Sequence, residues 1–233
     1  MILLWFIFSK LLIAAAPGAS TLSGQVELAD SRETSVSKQK DYSGIVVWLE
    51  PLGKPAPIAK ARNFTMVQKN KRFMPHVLVV PIGSTVDFPN SDPIFHNAFS
   101  NFSGQPFDTG LYPPGTSRKI RFRREGVVRV FCNIHSNMSA VVIVVNTPYF
   151  AITGKDGQFK LENVSPGEYK LAVWHERAAQ KTLDSLQQKI TVDGDRKLPQ
   201  ISISESGYLE VPHKNKQGQD YPPADRPYSG APK

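Results

Sequence analysis

The 233-residue chain carries a formal net charge of +8, and 40% of its residues are hydrophobic, enough for one large or two small packed domains. Its 19 prolines and 16 glycines favour many turns and argue against long helices. One cysteine, Cys132, excludes an internal disulfide and leaves either a free thiol or a metal ligand.

From the N terminus, Met1 to Ala16 is almost wholly apolar, interrupted by Lys10, and small residues follow through Ser20. Residues 1–20 therefore read as a signal peptide cleaved near Ala19 or Ser20, too short and interrupted for a transmembrane span. That reading implies a periplasmic or secreted protein with no span left after cleavage. Residues 21–60 hold two strand-like stretches, Gln25–Leu28 and Ile45–Leu49, marked by β-branched residues and alternation. Residues 51–62, P-L-G-K-P-A-P-I-A-K-A-R, have linker composition.

Residues 61–147 contain the clearest chemistry. The run G-V-V-R-V-F-C-N-I-H-S-N-M-S-A-V-V-I-V-V (126–145) reads as two strands joined by a short polar loop. That loop brings Cys132, His135 and Met138 within seven residues. A thiolate, an imidazole and a thioether are soft donors, which suit copper better than magnesium or calcium. A fourth donor must come from elsewhere, and His96, followed by Asn97, is available. Two His, one Cys and a weak axial Met form the ligand set of a blue-copper electron-transfer site. Singly, each residue has an ordinary explanation: a core thiol, a loop histidine, a gap-filling methionine. Their joint occurrence at ligand spacing is what argues for one bound ion. His76, His175 and His213 have no partner at such spacing and are read as ordinary histidines.

On these residues, the segment from about Asn63 to Asn146 resembles a cupredoxin. The C-x-x-H-x-x-M spacing is similar to that of the amicyanin-like, short-loop members of the plastocyanin group. The run F-M-P-H-V-L-V-V-P-I-G-S-T-V-D-F-P-N-S-D also matches, at Phe73, Pro75, Val79, Gly83, Val86, Phe88, Asn90 and Asp92. The resemblance implies a Greek-key β-sandwich and one copper ion cycling between Cu(I) and Cu(II). It implies His96, Cys132, His135 and Met138 as metal ligands, Asn97 bridging toward the ligand loop, and His135 as the path of the electron. The chain departs from the group at Ile134, where many relatives have proline.

Beyond Asn146-Thr-Pro148 a second unit begins, residues 148–204. Phe150–Thr153 is expected to form a hairpin with Gln158–Leu161 across Asp156-Gly157. Ser165-Pro-Gly167 makes a further turn before an alternating strand, Tyr169 to Val173. A short helix is expected within 178–189 and two strands within 190–204. The phrase T-G-K-D-G-Q-F-K-L-E-N-V-S-P-G-E-Y-K-L-A-V resembles the carboxypeptidase regulatory-like, or transthyretin-like, β-sandwich, a combination with cupredoxins similar to exported bacterial methylamine-utilisation-type proteins. About five strands fall short of a typical small sandwich. The two strands in 21–60 could complete it, which would make the cupredoxin an insertion; the alternative is two domains in tandem. Residues 205–233 are polar and proline-rich and read as a disordered tail.

Lys60 to Thr147 holds eleven Lys and Arg against four Asp and Glu, nearly the whole positive excess. Five of those charges lie in R-K-I-R-F-R-R (118–124). With Ile120 and Phe122 inward, Lys119, Arg121 and Arg123 would line an outer strand face, either as solvated surface or as a docking surface for an acidic redox partner or an anionic membrane. Export disfavours nucleic acid. The expected fold class is therefore all-β, with two sandwiches. The expected function is a non-enzymatic, one-electron copper carrier working between redox proteins. A copper carrier or storage protein, and a structural β-sandwich with a vestigial site, are the alternatives.

Overall fold

A computed structural model describes residues 18–53, 58–101, 104–209 and 211–222, so the signal-peptide reading of residues 1–17 and the last residues of the expected tail lie outside the described residues. The architecture is nearly all-β. The chain starts with β1 (Ser20–Ala29), a short α1 (Thr34–Ser37) and β2 (Val46–Pro51). The middle third contributes β3 (Asn63–Thr65), β4 (Val67–Lys69), β5 (Arg72–Met74), β6 (Val77–Pro81), β7 (Thr85–Pro89), β8 (Phe99–Ser100), β9 (Phe107–Asp108), β10 (Ser117–Arg121), β11 (Gly126–Phe131) and β12 (Ser139–Val145). The last third adds β13 (Phe150–Ile152), β14 (Gln158–Val164), β15 (Gly167–Trp174), α2 (Gln180–Ser185), β16 (Gln188–Val192), β17 (Arg196–Lys197) and β18 (Ile201–Ser204).

Strand pairing joins the two ends of the chain. One sheet runs β14-β1-β17, with β18 also paired to β1, and the other runs β13-β2-β15-β16. Both N-terminal strands are thus interior to sheets built from residues beyond 149. The burial pattern explains the assignment: β1 alternates buried and less buried residues along its length, as a strand with one core face must. The middle third forms its own sheets, β10-β7-β3 and β6-β12-β11-β8-β9. It leaves the first lobe after β2 and returns at β13.

β12 is where the lobes meet. Its apolar run S-A-V-V-I-V-V is buried on both faces, which is why it does not alternate with polar residues. Ala140, Val142 and Val144 pack with Cys132 and Met138, whereas Val141, Ile143 and Val145 join the core that holds Leu22, Val47 and Leu171. The inserted lobe is therefore no free-standing bead. Its removal would expose Val79, Val141 and Ile143 to water.

Two expectations need correction. β13 and β14 do not pair with each other; β13 bonds to β2 and β14 to β1, in different sheets. Asp156-Gly157 does turn the chain, with the Gly157 amide donating to the Gly154 carbonyl at 3.0 Å, but the turn is a corner between sheets. Gly157 sits at φ +72°, and a Cβ there would come within 2.0 Å of the Val26 carbonyl oxygen, so only glycine fits. A turn signal fixes a reversal and leaves open which strands pair. The second correction concerns the tail. Residues 205–209 and 211–222 are placed against the protein, with Glu205 buried and hydrogen-bonded to Ser31, His175 and Arg177. A few specific contacts, invisible to composition, outweigh the chain entropy there.

Beside the shared apolar interface lies a polar clasp. His76, entering β6, places Nε2 2.6 Å from Glu176 Oε2, with Arg129 Nη1 3.8 Å from the other oxygen. The bond to Glu176 raises the His76 pKa against the opposing effect of burial. Burial would raise Glu176, but the bond and charge of His76, with Arg129, outweigh it and leave it lowered. The histidine's contribution is complete below its ordinary 6.5 and fades as pH climbs through the raised value. The glutamate's is complete above 4.5 and fades as pH falls through the lowered value. Thermal stability should therefore peak between those values and decline on either side, and Glu176→Gln should flatten the profile. A wild-type melting temperature constant across this range would show that the clasp contributes nothing.

Candidate metal centre

The site forms at one end of the inserted lobe. β11 and β12 pair from Gly126↔Val144 to Phe131↔Ser139, so the register ends just before Cys132 and resumes just after Met138. The seven residues between form a tight connection. The Cys132 amide donates to the Met138 carbonyl at 3.0 Å, and the Met138 amide to the His135 carbonyl at 3.1 Å. Spacing in sequence thus becomes proximity in space through one turn. His96 reaches the same place from the loop after β7, held by two backbone bonds with Tyr112 at 3.3 and 2.9 Å.

The donors converge. Cys132 Sγ lies 3.8 Å from His96 Nδ1 and 3.6 Å from His135 Nδ1, and the three ligand atoms all lie within 4.8 Å of one another. Thiolate and imidazole donors about 2.3 and 2.0 Å from a shared ion, at an angle of about 120°, would sit about 3.7 Å apart. The separations fit one ion in a near-trigonal N, S, N set. Cys132, His96 and Met138 are fully buried and His135 is half-buried. Met138 belongs to the same apolar cluster as Cys132, beside Val130, Ala140 and Tyr112. All four residues expected from the sequence are therefore gathered at this end of the lobe.

Burial tunes the donor groups. It pushes the Cys132 thiol up, and backbone bonds from neighbouring amides only partly offset this. It lowers His135 to about 4, helped by the neighbouring His96 and Lys71, so that this imidazole is neutral and ready to donate near pH 7. A cation placed among these groups would remove the penalty on the thiolate.

Asp92 has a larger part than its appearance in the sequence suggested. Its Oδ2 lies 2.8 Å from His96 Nε2, which turns Nδ1 toward Cys132. The carboxylate also accepts the Asn70 and Lys71 amides at 2.6 and 2.8 Å, while the Asn90 side chain accepts the Asp92 amide. Burial would raise its pKa, but these bonds with His96 lower it, so it is ionised as an imidazole-orienting carboxylate should be. Asn97 takes the bridging place expected for it, its Oδ1 accepting the Asn133 amide at 2.7 Å. Replacing Asp92 by Asn should weaken metal binding about 10–100-fold while leaving the fold intact. A competition titration showing wild-type affinity would mean that the carboxylate does not orient the ligand.

No protein-family model matches the chain, and no curated protein does. Among solved structures, a copper-containing nitrite reductase from Thermus scotoductus is 27% identical over 41% of this chain, with a TM-score of 0.35. This chain covers only 25% of that enzyme. A purple cupredoxin from Nitrosopumilus maritimus is 26% identical, covered in full by 37% of this chain, with a TM-score of 0.33. A reduced Cu(I) form of a single-residue variant of amicyanin is 16% identical over 42% of this chain and 98% of its own, with a TM-score of 0.34. At these scores and coverages, the functional reading rests on the donor set and its geometry.

Proposed function

We propose that this chain is an exported copper protein that passes single electrons between redox partners, with His96, Cys132, His135 and Met138 holding one copper ion. The observation that carries the reading is the convergence of one thiol and two imidazole nitrogens, 3.6 and 3.8 Å from sulfur to nitrogen, inside an apolar core. Copper bound there would supply one-electron chemistry between its cuprous and cupric states.

The residues of the chain do the rest. Cys132 gives the strong soft donor, and the hydrogen-bonded turn from Cys132 to Met138 fixes where it points. His96 is held between Asp92 and the Tyr112 backbone, so little atomic motion accompanies a change of charge. Met138 is the weak axial donor of this reading. Phe73, Phe88, Val130 and Ala140 help exclude water. His135 is the donor that reaches the surface and is the electron's exit. Burial of Cys132 and His96 favours electron transfer over metal delivery, because handover by ligand exchange needs an accessible thiol.

The partner of this proposal carries an acidic surface. Arg118, Lys119, Arg121, Arg123 and Arg124 are exposed on and beside β10, an edge strand of its sheet, while Phe122 is buried. Electron transfer to an acidic redox protein, followed by stopped flow, should slow steeply as salt is raised and the screening length shrinks toward about 8 Å. Arg121→Glu with Arg123→Glu should reproduce the effect of high salt. A salt-independent rate would remove the acidic partner from the account, and failure of the protein to cycle by one electron would remove electron transfer itself.

A further inference from the structure

The C-terminal segment 211–222, polar and proline-rich, lies across the metal loop. The His213 ring stacks on Phe131, centroids 4.1 Å apart at 25°, immediately before Cys132. Tyr221 meets His213 edge-on at 5.1 Å and donates its hydroxyl to the Cys132 carbonyl at 2.8 Å. The Lys216 amide donates to Asn133 Oδ1 at 2.9 Å, and the Asn101 side chain donates to the Lys216 carbonyl at 3.1 Å.

These bonds close a ring. Lys216 Nζ reaches Asp108 Oδ2 at 2.7 Å; Asp108 Oδ1 accepts Asn97 Nδ2 at 3.3 Å; Asn97 Oδ1 accepts the Asn133 amide; and Asn133 Oδ1 returns to the Lys216 amide. Asn97 follows ligand His96, and Asn133 follows ligand Cys132. Lys216 is the corner that the tail supplies. The segment is shaped for the task by its own turn, in which Asn215 Oδ1 accepts the Gln217 and Gln219 amides at 3.0 and 2.9 Å.

We infer that residues 211–221 are a strap that positions the metal loop, with Lys216 and Tyr221 as positioning residues for Cys132 and Asn133. The inference rests on the copper-centre reading for its purpose, though the strap's hold on the loop does not depend on metal. Among the described residues the connection from Cys132 to Met138 closes on two backbone–backbone bonds of its own, and Ser136 and Asn137 are exposed. Bonds from outside are what can hold its first residues still. The strap holds the loop at Phe131, Cys132 and Asn133, with His213 also interacting with the Ser136 backbone, and among the described residues none of its hydrogen bonds is made to the His135 side chain. It therefore tightens the site without closing the electron's exit.

The test uses the full chain carrying His213→Ala with Tyr221→Ala, and separately Tyr221→Phe. In the metal-free proteins, exchange of the Cys132 and Asn133 amides should quicken about tenfold or more in the double variant and less in Tyr221→Phe, which keeps the ring stack. Amides of Val128 and Val142 serve as the control and should keep their protection. In the copper-loaded proteins, release of copper to a chelator should quicken about tenfold in the double variant. Unchanged loop exchange would overturn the strap, and faster exchange with unchanged copper release would overturn its positioning role. Should the wild type bind no copper, the copper reading falls and the metal-free exchange still decides whether the strap holds the loop.

Discussion

Replacing Cys132 by Ser should abolish tight copper binding and with it any visible charge-transfer colour. A serine hydroxyl in this buried site stays protonated and is a hard, weak donor, whereas the thiolate is the soft anion around which the two imidazoles are arranged. The loss should exceed the about 10–100-fold expected when only an orienting neighbour such as Asp92 is changed. The fold should survive. Burying a hydroxyl in place of a thiol costs about 1–3 kcal/mol on the scale of protein mutational data, less than the about 5–15 kcal/mol by which a domain is stable. A serine variant that keeps its colour, with thermal stability near wild type, would remove Cys132 from the ligand set.

The second large effect is architectural. Residues 149–204 expressed alone should show no cooperative thermal unfolding, and joining residues 20–53 to them should restore it. Without β1 and β2, both sheets of that lobe lose an interior strand, and β14 and β13 lose their partners. The missing segments also carry Leu22, Val26, Leu28, Ile45, Val46, Val47 and Leu49, all buried. At about 1.5–3 kcal/mol each, these seven side chains together contribute as much as the about 5–15 kcal/mol by which a whole domain is stable. Cooperative unfolding of 149–204 alone, at the temperature of the joined protein, would contradict the strand assignment.

The candidate donors were legible because the loop that carries three of them is local. Cys132, His135 and Met138 sit in one tight turn between two β-branched strands, so spacing in sequence translates directly into geometry. His96 lies 36 residues from Cys132, and it was the Asn97 after it that singled it out. The role of Asp92 was not legible, since a carboxylate four residues from a histidine has no signature until the loop between them is folded. Strand existence was also legible, but pairing was not. Gly157 marked its turn, while the partners of β13 and β14 were decided by β1 and β2, more than a hundred residues away in sequence. The double burial of β12 was written in its unbroken apolar run, yet nothing in that run says that its second face belongs to another lobe. The strap was the least legible of all. His213, Lys216 and Tyr221 act through one ring stack, the backbone and ammonium of a single lysine and one hydroxyl, without period or motif, in a segment whose composition points to disorder.

The most direct measurement is the optical and electron-spin-resonance spectrum of the copper-loaded protein during a redox titration. The account predicts one copper per chain, an intense visible thiolate-to-Cu(II) band and a cupric resonance, both lost and regained reversibly with one electron. A protein that binds no copper, or binds it without a thiolate band, would contradict it.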